Sequence, residues 1–255
     1  MFESEEQKTP GSPDDEQVYK AKSRKFFAAF VRRHPKAWEI LREFNLVPKG
    51  AATKQYEKVS RHSVTEAAVA DALAEKLNIS PEGRERLVEA IFLHDAYKRE
   101  RVEMNDPYQS GRDPKEKFWD SNSRQGTEVL RKMGVEPEVI DVISAIDVAG
   151  MVKLNFEETE DETELIKKIA WYIDSITLDT SLVKLEERVK RFRAREPETN
   201  DYGLEIVGMP TFDYYEHAAQ KLEPEIVKRL GIEKPDSLPE VLKDLLRKKI
   251  EQVSD

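Results

Sequence analysis

The sequence predicts an all-α protein with a single domain. From Val18 onward, apolar residues recur at helical spacing in nearly every segment, and no convincing run of strands is evident. Glycine and proline fall between these segments, as residues that interrupt helices do. A chain of 255 residues is also long enough to bury a substantial core. We therefore expect one helical bundle.

Residues 1–17 are predicted to form a flexible, disordered acidic tail. They contain six acidic residues, one basic residue and few apolar side chains, so burial cannot offset the entropy that ordering would cost. The rest of the chain divides into three parts. Residues 18–54 form an N-terminal helical segment, residues 55–195 form the helical core, and residues 196–255 form a loop and helices that pack on that core.

Short helices are predicted at the start of the folded part. The first is marked by four apolar residues, which are Phe26, Phe27, Phe30 and Val31. The second spans 37–44, between Pro35 and Pro48. Farther along, Ser80 and Pro81 end one helix and begin the next, because serine caps a helix start and proline fits its first turn.

Further helices are predicted toward the C-terminus. Gly134 and Pro137 separate two of them, and residues 197–210 form a loop. Ser237 and Glu240 have the spacing of a capping box and open the last helix. The predicted helical ranges are 115–133, 138–149, 163–195 and 241–253.

Cysteine and histidine are scarce in this chain. It has no cysteine and four histidines, but 51 aspartate and glutamate residues. Disulfides, thiolate zinc sites and cysteine nucleophiles are therefore excluded. Any metal ion must be held by imidazole and carboxylate groups.

The net charge of −9 is concentrated in two segments. Residues 1–17 and 155–164 each contain six acidic residues, and the remaining 41 basic and 39 acidic residues nearly balance. A local cationic pocket is thus compatible with the composition. No strongly basic domain predicts nucleic acid as an obligatory partner. The lack of a long apolar run or a signal-peptide pattern predicts a cytoplasmic protein that does not bind a membrane.

Ionisable residues occupy apolar helical faces in three places, and the first two involve histidine. His62 shares a helical face with Val69 and therefore points inward. His94 and Asp95 directly follow the apolar stretch 87–93. Each also has a structural explanation: His62 as a hydrogen-bonded core residue, and His94 with Asp95 as a buried ion pair or a helix cap.

Asp174 is the third such residue. It lies in an apolar helix with no basic residue between Lys168 and Lys184, so no neighbour one turn away can offset its burial. One divalent cation would account for all of these residues together. Mixed imidazole and carboxylate ligation suits Mn(II), Fe(II), Co(II), Ni(II) or Mg(II). The predicted ligands are His62, His94, Asp95 and Asp174.

The order of these residues resembles the HD-domain metal-dependent phosphohydrolase superfamily, over roughly residues 55–195. His62 is followed after 32 positions by His94-Asp95, and Asp174 follows after 79 more. The dyad continues to Lys98, which is similar to the His-Asp-x-x-Lys form common in that superfamily. The resemblance implies an HD-domain-like helical bundle.

Two flanking segments, 126–134 and 185–188, are also similar to segments of the superfamily. Many relatives with two metal ions carry further histidines where this chain has Asn122 or Ser123 and, later, Asp147. The resemblance therefore implies one ion here, with Asp147 left as a contact to a second cation or a bridging water.

The activity implied by the resemblance is hydrolysis of a small phosphorylated substrate, with a nucleotide expected, by a metal-activated water. Asp95 is expected to accept the proton of that water. Lys98 and Arg61 are candidates to neutralise the phosphate, and Glu66, four residues after His62, is a candidate to orient the imidazole or move a proton. A solvent-facing surface position is the alternative for each of these three.

Two other functions stay open on the sequence. The missing extra histidines favour a catalytically weak HD-type module that binds a nucleotide and regulates. A helical interaction protein would use the same His–Asp pairs structurally. His34 and His217 fall outside the predicted site and are interpreted as structural or surface residues. The oligomeric state, a homodimer included, is also open.

Overall fold

The computed structural model describes residues 13–44, 54–96, 126–195, 199–233 and 237–253. Over these ranges the regular structure is helical apart from one hairpin of two short strands. The all-α class predicted from periodicity is therefore confirmed. No helix in these ranges has both the length and the apolar character needed to cross a bilayer.

Helices and strands are numbered in chain order. Residues 126–132 form a further helical stretch, which precedes α5. The numbered elements are α1 (Pro13–Arg33), α2 (Pro35–Glu43), α3 (Lys54–Lys76), α4 (Pro81–Leu93), α5 (Pro137–Ile146), α6 (Val148–Met151), α7 (Glu162–Ile176), β1 (Thr177–Leu178), β2 (Ser181–Leu182), α8 (Leu185–Arg195), α9 (Thr199–Val207), α10 (Thr211–Arg229) and α11 (Leu238–Glu251).

Three helices, α3, α4 and α7, pack against one another at the centre of the fold. α5 packs on α4 and α7, while α1 and α11 pack on α3. Leu73 on α3, Leu87 on α4 and Trp171 on α7 are each fully buried. An ionisable side chain on the packed face of one of these helices is therefore removed from water.

The start of α4 is fixed by Ser80, as the sequence predicts. Its Oγ accepts a hydrogen bond from the amide of Gly83 at 3.0 Å, and Pro81 occupies the first turn. The same hydroxyl donates to Oε1 of Glu162 at 2.6 Å, which ties the start of α4 to the start of α7. Gly83 permits this approach, since a Cβ there would lie 2.6 Å from that oxygen.

Two regions predicted to be irregular contain helix. α1 begins at Pro13, so residues 13–17 are helical rather than part of a flexible tail, and the rest of the predicted tail lies outside the described residues. α9 occupies most of the predicted loop 197–210. Its Leu204 and Ile206 stay exposed, so these two apolar residues do not form part of a buried stripe of the kind on which a periodicity argument depends.

The continuous helix predicted over 163–195 is wrong in its middle. The chain leaves α7 at Ile176 and forms the antiparallel hairpin β1–β2, whose strands are two residues long, before α8 begins. Asp179 in the connecting turn has a φ of 54°, which a right-handed helix does not accommodate. Thr177 begins the hairpin, and β-branched residues of this kind favour extended backbone.

Other predicted boundaries also shift. The helix predicted over 138–149 breaks at Asp147, whose extended backbone separates α5 from α6. Pro224 lies inside α10 rather than between helices. Of the helix predicted over 115–133, residues 126–132 are helical, and its earlier part lies outside the described residues.

The acidic segment 155–164 is held against α10 by basic side chains. Nζ of Lys221 lies 3.0 Å from Oε1 of Glu157. Nζ of Lys228 lies 2.7 Å from Oε1 of Glu158. These ion pairs neutralise part of the negative charge that the sequence concentrates in this segment.

Candidate metal centre

Four ionisable side chains from three parts of the fold meet between the central helices. His62 and Glu66 lie one turn apart on α3. His94 lies in the turn that follows α4, and Asp174 lies on α7. One ligand atom from each residue lies within 4.8 Å of the others. We call these four residues the cluster.

Backbone carbonyls orient the two imidazoles of the cluster. Nδ1 of His62 lies 2.8 Å from the carbonyl oxygen of Asp179. Nδ1 of His94 lies 2.7 Å from the carbonyl oxygen of Ile91. Because a carbonyl oxygen can only accept, each Nδ1 carries the hydrogen and donates it. Nε2 of each ring is then left to face the carboxylates, and in a neutral ring it offers the lone pair that binds a metal.

The carboxylates lie close to both Nε2 atoms. Oε1 of Glu66 is 3.2 Å from Nε2 of His62. Oδ1 of Asp174 is 3.3 Å from Nε2 of His94 and 3.8 Å from Nε2 of His62. Asp95 is slightly farther away, with Oδ2 at 4.0 Å from Nε2 of His62 and 3.8 Å from Nε2 of His94.

Several atoms of the cluster are buried without a hydrogen bond. Both carboxylate oxygens of Glu66 and Nε2 of His94 have no hydrogen-bond partner, and Glu66 is 0% exposed. A buried polar atom without a partner destabilises a fold by about 1–3 kcal/mol, and a charged one by more. A divalent cation among these atoms would remove that cost, and first-row divalent ions accept imidazole and carboxylate donors together. The residues present therefore fit a metal ion.

The cluster also shifts the pKa of its members. Burial by itself lowers the pKa of His94, but the negative charges of Asp95 and Glu66 outweigh burial and raise that pKa to about 10. Burial raises the pKa of Glu66 to about 7, against the opposing effect of the histidines. Burial by itself raises the pKa of Asp174, yet the neighbouring imidazolium groups of His62 and His94 hold that pKa well below its usual range.

Metal affinity at the cluster is expected to rise with pH. Metal-free His94 has a pKa of about 10 and holds a proton that a bound ion must displace. Glu66, with a pKa of about 7, holds a second proton below neutrality. Since each displaced proton weakens binding about tenfold per pH unit below its pKa, the apparent Kd for Mn(II) should fall at least about tenfold between about pH 6 and about pH 7.

Calorimetry checks this expectation directly. Titration of Mn(II) into the metal-free protein, in two buffers that differ in ionisation enthalpy, counts the protons released on binding. We expect a release of at least about one proton near pH 7. A count of zero would contradict the protonation states assigned to His94 and Glu66.

The structure brings together most of the residues that the sequence predicts as ligands. His62, His94 and Asp174 belong to the cluster. Asp95 lies beside both imidazoles. Glu66 is buried among them, so the solvent-facing alternative for this residue is wrong. The partner that Asp174 needs does come from elsewhere in the fold, as expected, and it is the pair of imidazoles.

The other candidate residues are placed differently. Arg61 is exposed, and it lines a cleft that contains none of the four cluster residues. Asp147 is partly buried at the break between α5 and α6. Lys98, Asn122 and Ser123 lie outside the described residues.

The remaining histidines do not belong to the cluster. The ring centroid of His34 lies 4.7 Å from that of Phe30 and 6.1 Å from that of Phe92, so His34 is part of an aromatic contact. His217 is exposed on α10. Both positions agree with the structural or surface roles expected from the sequence.

Of two features of the cluster, the sequence can predict one and cannot predict the other. The i+4 spacing of His62 and Glu66 puts both side chains on one helical face, which is a signal that Glu66 can be a ligand. The carbonyl of Asp179 gives no such signal, since any residue carries one. Only the hairpin between β1 and β2 brings this carbonyl to His62.

Comparison of the chain with protein-family models, curated proteins and solved structures found no match. The functional interpretation therefore depends on the chemistry of the cluster and its surroundings.

Proposed function

We propose that the protein is a metal-dependent phosphohydrolase that acts on a nucleotide or another small phosphate ester. The observation that carries the proposal is the buried cluster, in which both oxygens of Glu66 and Nε2 of His94 lack hydrogen-bond partners. The similarity of the residue order to the HD-domain superfamily supports the choice of reaction.

One divalent ion would be held by His62, His94 and Asp174, with a further oxygen from Glu66 or Asp95. When bound, such an ion supplies a nucleophilic water and neutralises charge that develops on a phosphate group. Mn(II), Fe(II), Co(II), Ni(II) and Mg(II) accept this set of donors.

The residues of the chain would fix the ligands and move a proton. The carbonyls of Asp179 and Ile91 hold the two rings so that Nε2 is free for a ligand. Glu66 is buried with Oε1 at 3.2 Å from Nε2 of His62, and its carboxylate is one candidate to accept the proton of the water. Asp95 lies beside both Nε2 atoms and is the second candidate for this step.

Access to the cluster is expected on the side of Asp174. The side chain of Asp174 is 27% exposed, whereas those of His62 and His94 are 9% and 6% exposed. A partly exposed ligand beside buried ones leaves one side of the cluster open. A phosphate oxygen can approach there while the imidazoles stay shielded from bulk water.

A purely structural cluster is the competing interpretation. Two protonated imidazoles and the surrounding carboxylates can neutralise one another without a cation, and the raised pKa of His94 is compatible with this. The oxygens of Glu66, which are buried and accept no hydrogen bond, favour the metal. Elemental analysis of the purified protein separates the two interpretations, because only a metal centre retains an ion.

Hydrolysis is expected only in the metal-loaded protein. The assay uses p-nitrophenyl phosphate, bis-p-nitrophenyl phosphate, nucleoside monophosphates and cyclic nucleotides, each with Mn(II), Fe(II), Co(II), Ni(II) or Mg(II). Asp174→Asn should lower kcat/KM at least about 100-fold, because it removes a charged ligand. His217→Ala, which changes an exposed histidine away from the cluster, should not alter kcat/KM.

Two outcomes would argue against this function. Full activity in Asp174→Asn would place the chemistry elsewhere in the protein. Measurable nucleotide binding without turnover, in every metal-loaded sample, would favour a nucleotide-binding regulatory module instead.

A further inference from the structure

A cavity lies on a face of α3 different from the face that carries the cluster residues His62 and Glu66. It has a volume of about 810 Å³ and is bordered by α1, α2, α3, α11 and the turn between β1 and β2. Small-molecule sites occupy about 300–1,000 Å³. None of the four cluster residues lines this cavity. We call it the α1–α3 cleft.

The walls of the α1–α3 cleft are largely apolar. Val64 and Ile250 contribute buried side chains, and Phe27 and Trp38 contribute partly buried aromatic rings. An apolar ligand that covers partly buried aromatic surface of this kind binds favourably, because it removes apolar area from water. The cleft is therefore suited to an apolar group.

Two arginines add positive charge to the same cleft. Arg24 on α1 and Arg61 on α3 both line it, and both are exposed. Within the ranges that the structure describes, neither guanidinium group has an ion-pair or hydrogen-bond partner, whereas the guanidinium of Arg193 is paired with Asp213 at 2.6 Å. Unpaired guanidinium groups beside apolar walls favour an anion that also carries an apolar part.

We propose that the α1–α3 cleft binds a small amphipathic anion, which consists of an apolar body and one carboxylate or phosphate head group. The apolar body packs on Phe27, Trp38 and Val64. The head group binds Arg24 and Arg61. Two guanidinium groups can bind the oxygens of one such head group, whereas a nucleic-acid backbone is bound through many more cations.

The cleft adjoins the hydrogen bond that orients His62. Thr180 lines the cleft, and the preceding residue, Asp179, supplies the carbonyl that His62 contacts. Arg61, which also lines the cleft, directly precedes His62 in the chain. None of the cluster residues lines the cleft, so the site is separate from the cluster although it lies beside it. Binding in the cleft therefore requires no metal ion.

Decanoate, decylamine and decanol test the proposal, because they share an apolar chain and differ in the charge of the head group. Isothermal titration calorimetry on the full chain, below the micelle concentration of each probe, should show one decanoate bound for each protein molecule. Decylamine should bind at least about tenfold more weakly, since the arginines repel an ammonium group. Equal binding of decanoate and decylamine, or no binding of decanoate, would overturn the proposal.

Paired variants identify the site. Arg24→Gln with Arg61→Gln should weaken decanoate binding at least about tenfold and leave decanol binding unchanged. The matched control, Arg32→Gln with Arg86→Gln, removes the same charge from exposed positions outside the cleft and should change neither. An equal loss in both double variants would show an effect of net charge alone and would refute the cleft as the site.

A third variant tests the apolar part of the cleft. Ala28 is exposed and lines the cleft, so Ala28→Trp fills space without disturbing the core. It should abolish binding of both decanoate and decanol, with an unchanged circular dichroism spectrum. Binding of decanoate at wild-type affinity in this variant would mean that the anion binds elsewhere.

Discussion

The wild-type protein is expected to retain close to one equivalent of a divalent ion, and His94→Ala is expected to abolish this retention. The ring of His94 is fixed by the carbonyl of Ile91, and its Nε2 is buried 3.3 Å from Oδ1 of Asp174. Alanine removes this donor atom from the cluster. We expect the Kd for Mn(II) to rise at least about 100-fold.

His217→Ala is the matched control for this experiment. It makes the same substitution at an exposed position on α10, outside the cluster. Metal content is measured by elemental analysis after dialysis, and affinity is measured by calorimetry. If wild-type protein and both variants contain equally little metal after loading with each candidate ion, the cluster is an ion-pair network and the proposed metal centre is refuted.

Glu225→Ala is expected to lower the free energy of unfolding by about 3–5 kcal/mol. Glu225 on α10 is 5% exposed, and its Oε2 lies 4.0 Å from Nζ of Lys168, which is 0% exposed. Nη2 of Arg229 donates to Oε1 of Glu225 at 2.9 Å. Removal of the carboxylate leaves the buried ammonium without this countercharge, and an uncompensated buried charge is costly.

Urea unfolding measures the change, with linear extrapolation to zero denaturant. Glu216→Ala is the control on the same helix, because the carboxylate of Glu216 lies 3.5 Å from Nη2 of Arg193 and the two side chains are 38% and 45% exposed. Its effect should stay below about 1 kcal/mol. Equal losses in Glu216→Ala and Glu225→Ala would show that the buried pair contributes no more than a surface pair.

The buried Lys168–Glu225 pair also shows what sequence reasoning misses in the fold. Lys168 occupies an otherwise apolar stretch of α7, and Glu225 lies 57 positions later, so no local spacing connects them. Their contact exists because α10 brings Glu225 close to α7. The sequence reveals a charge in an apolar place but not its partner.

The residues of the cluster are easier to identify from the sequence than this pair. His62 and Asp174 each interrupt an apolar helical face, and helical periodicity is a property of neighbouring residues alone. An inward position can therefore be predicted without knowledge of the fold. The surroundings of Arg61 could not be predicted in this way. The α1–α3 cleft that Arg61 lines is formed by helices that are far apart in the chain.

Local sequence determined the helical class, the start of α4 at Ser80 and the inward direction of His62. These depend on capping and spacing within a few residues, for which the sequence contains all the information. Tertiary structure alone decided the hairpin turn at Asp179, the burial of Glu66 between two imidazoles, and the distances within the cluster. Those features arise where separate helices pack together, and the free energy of that packing depends on residues far apart in the chain.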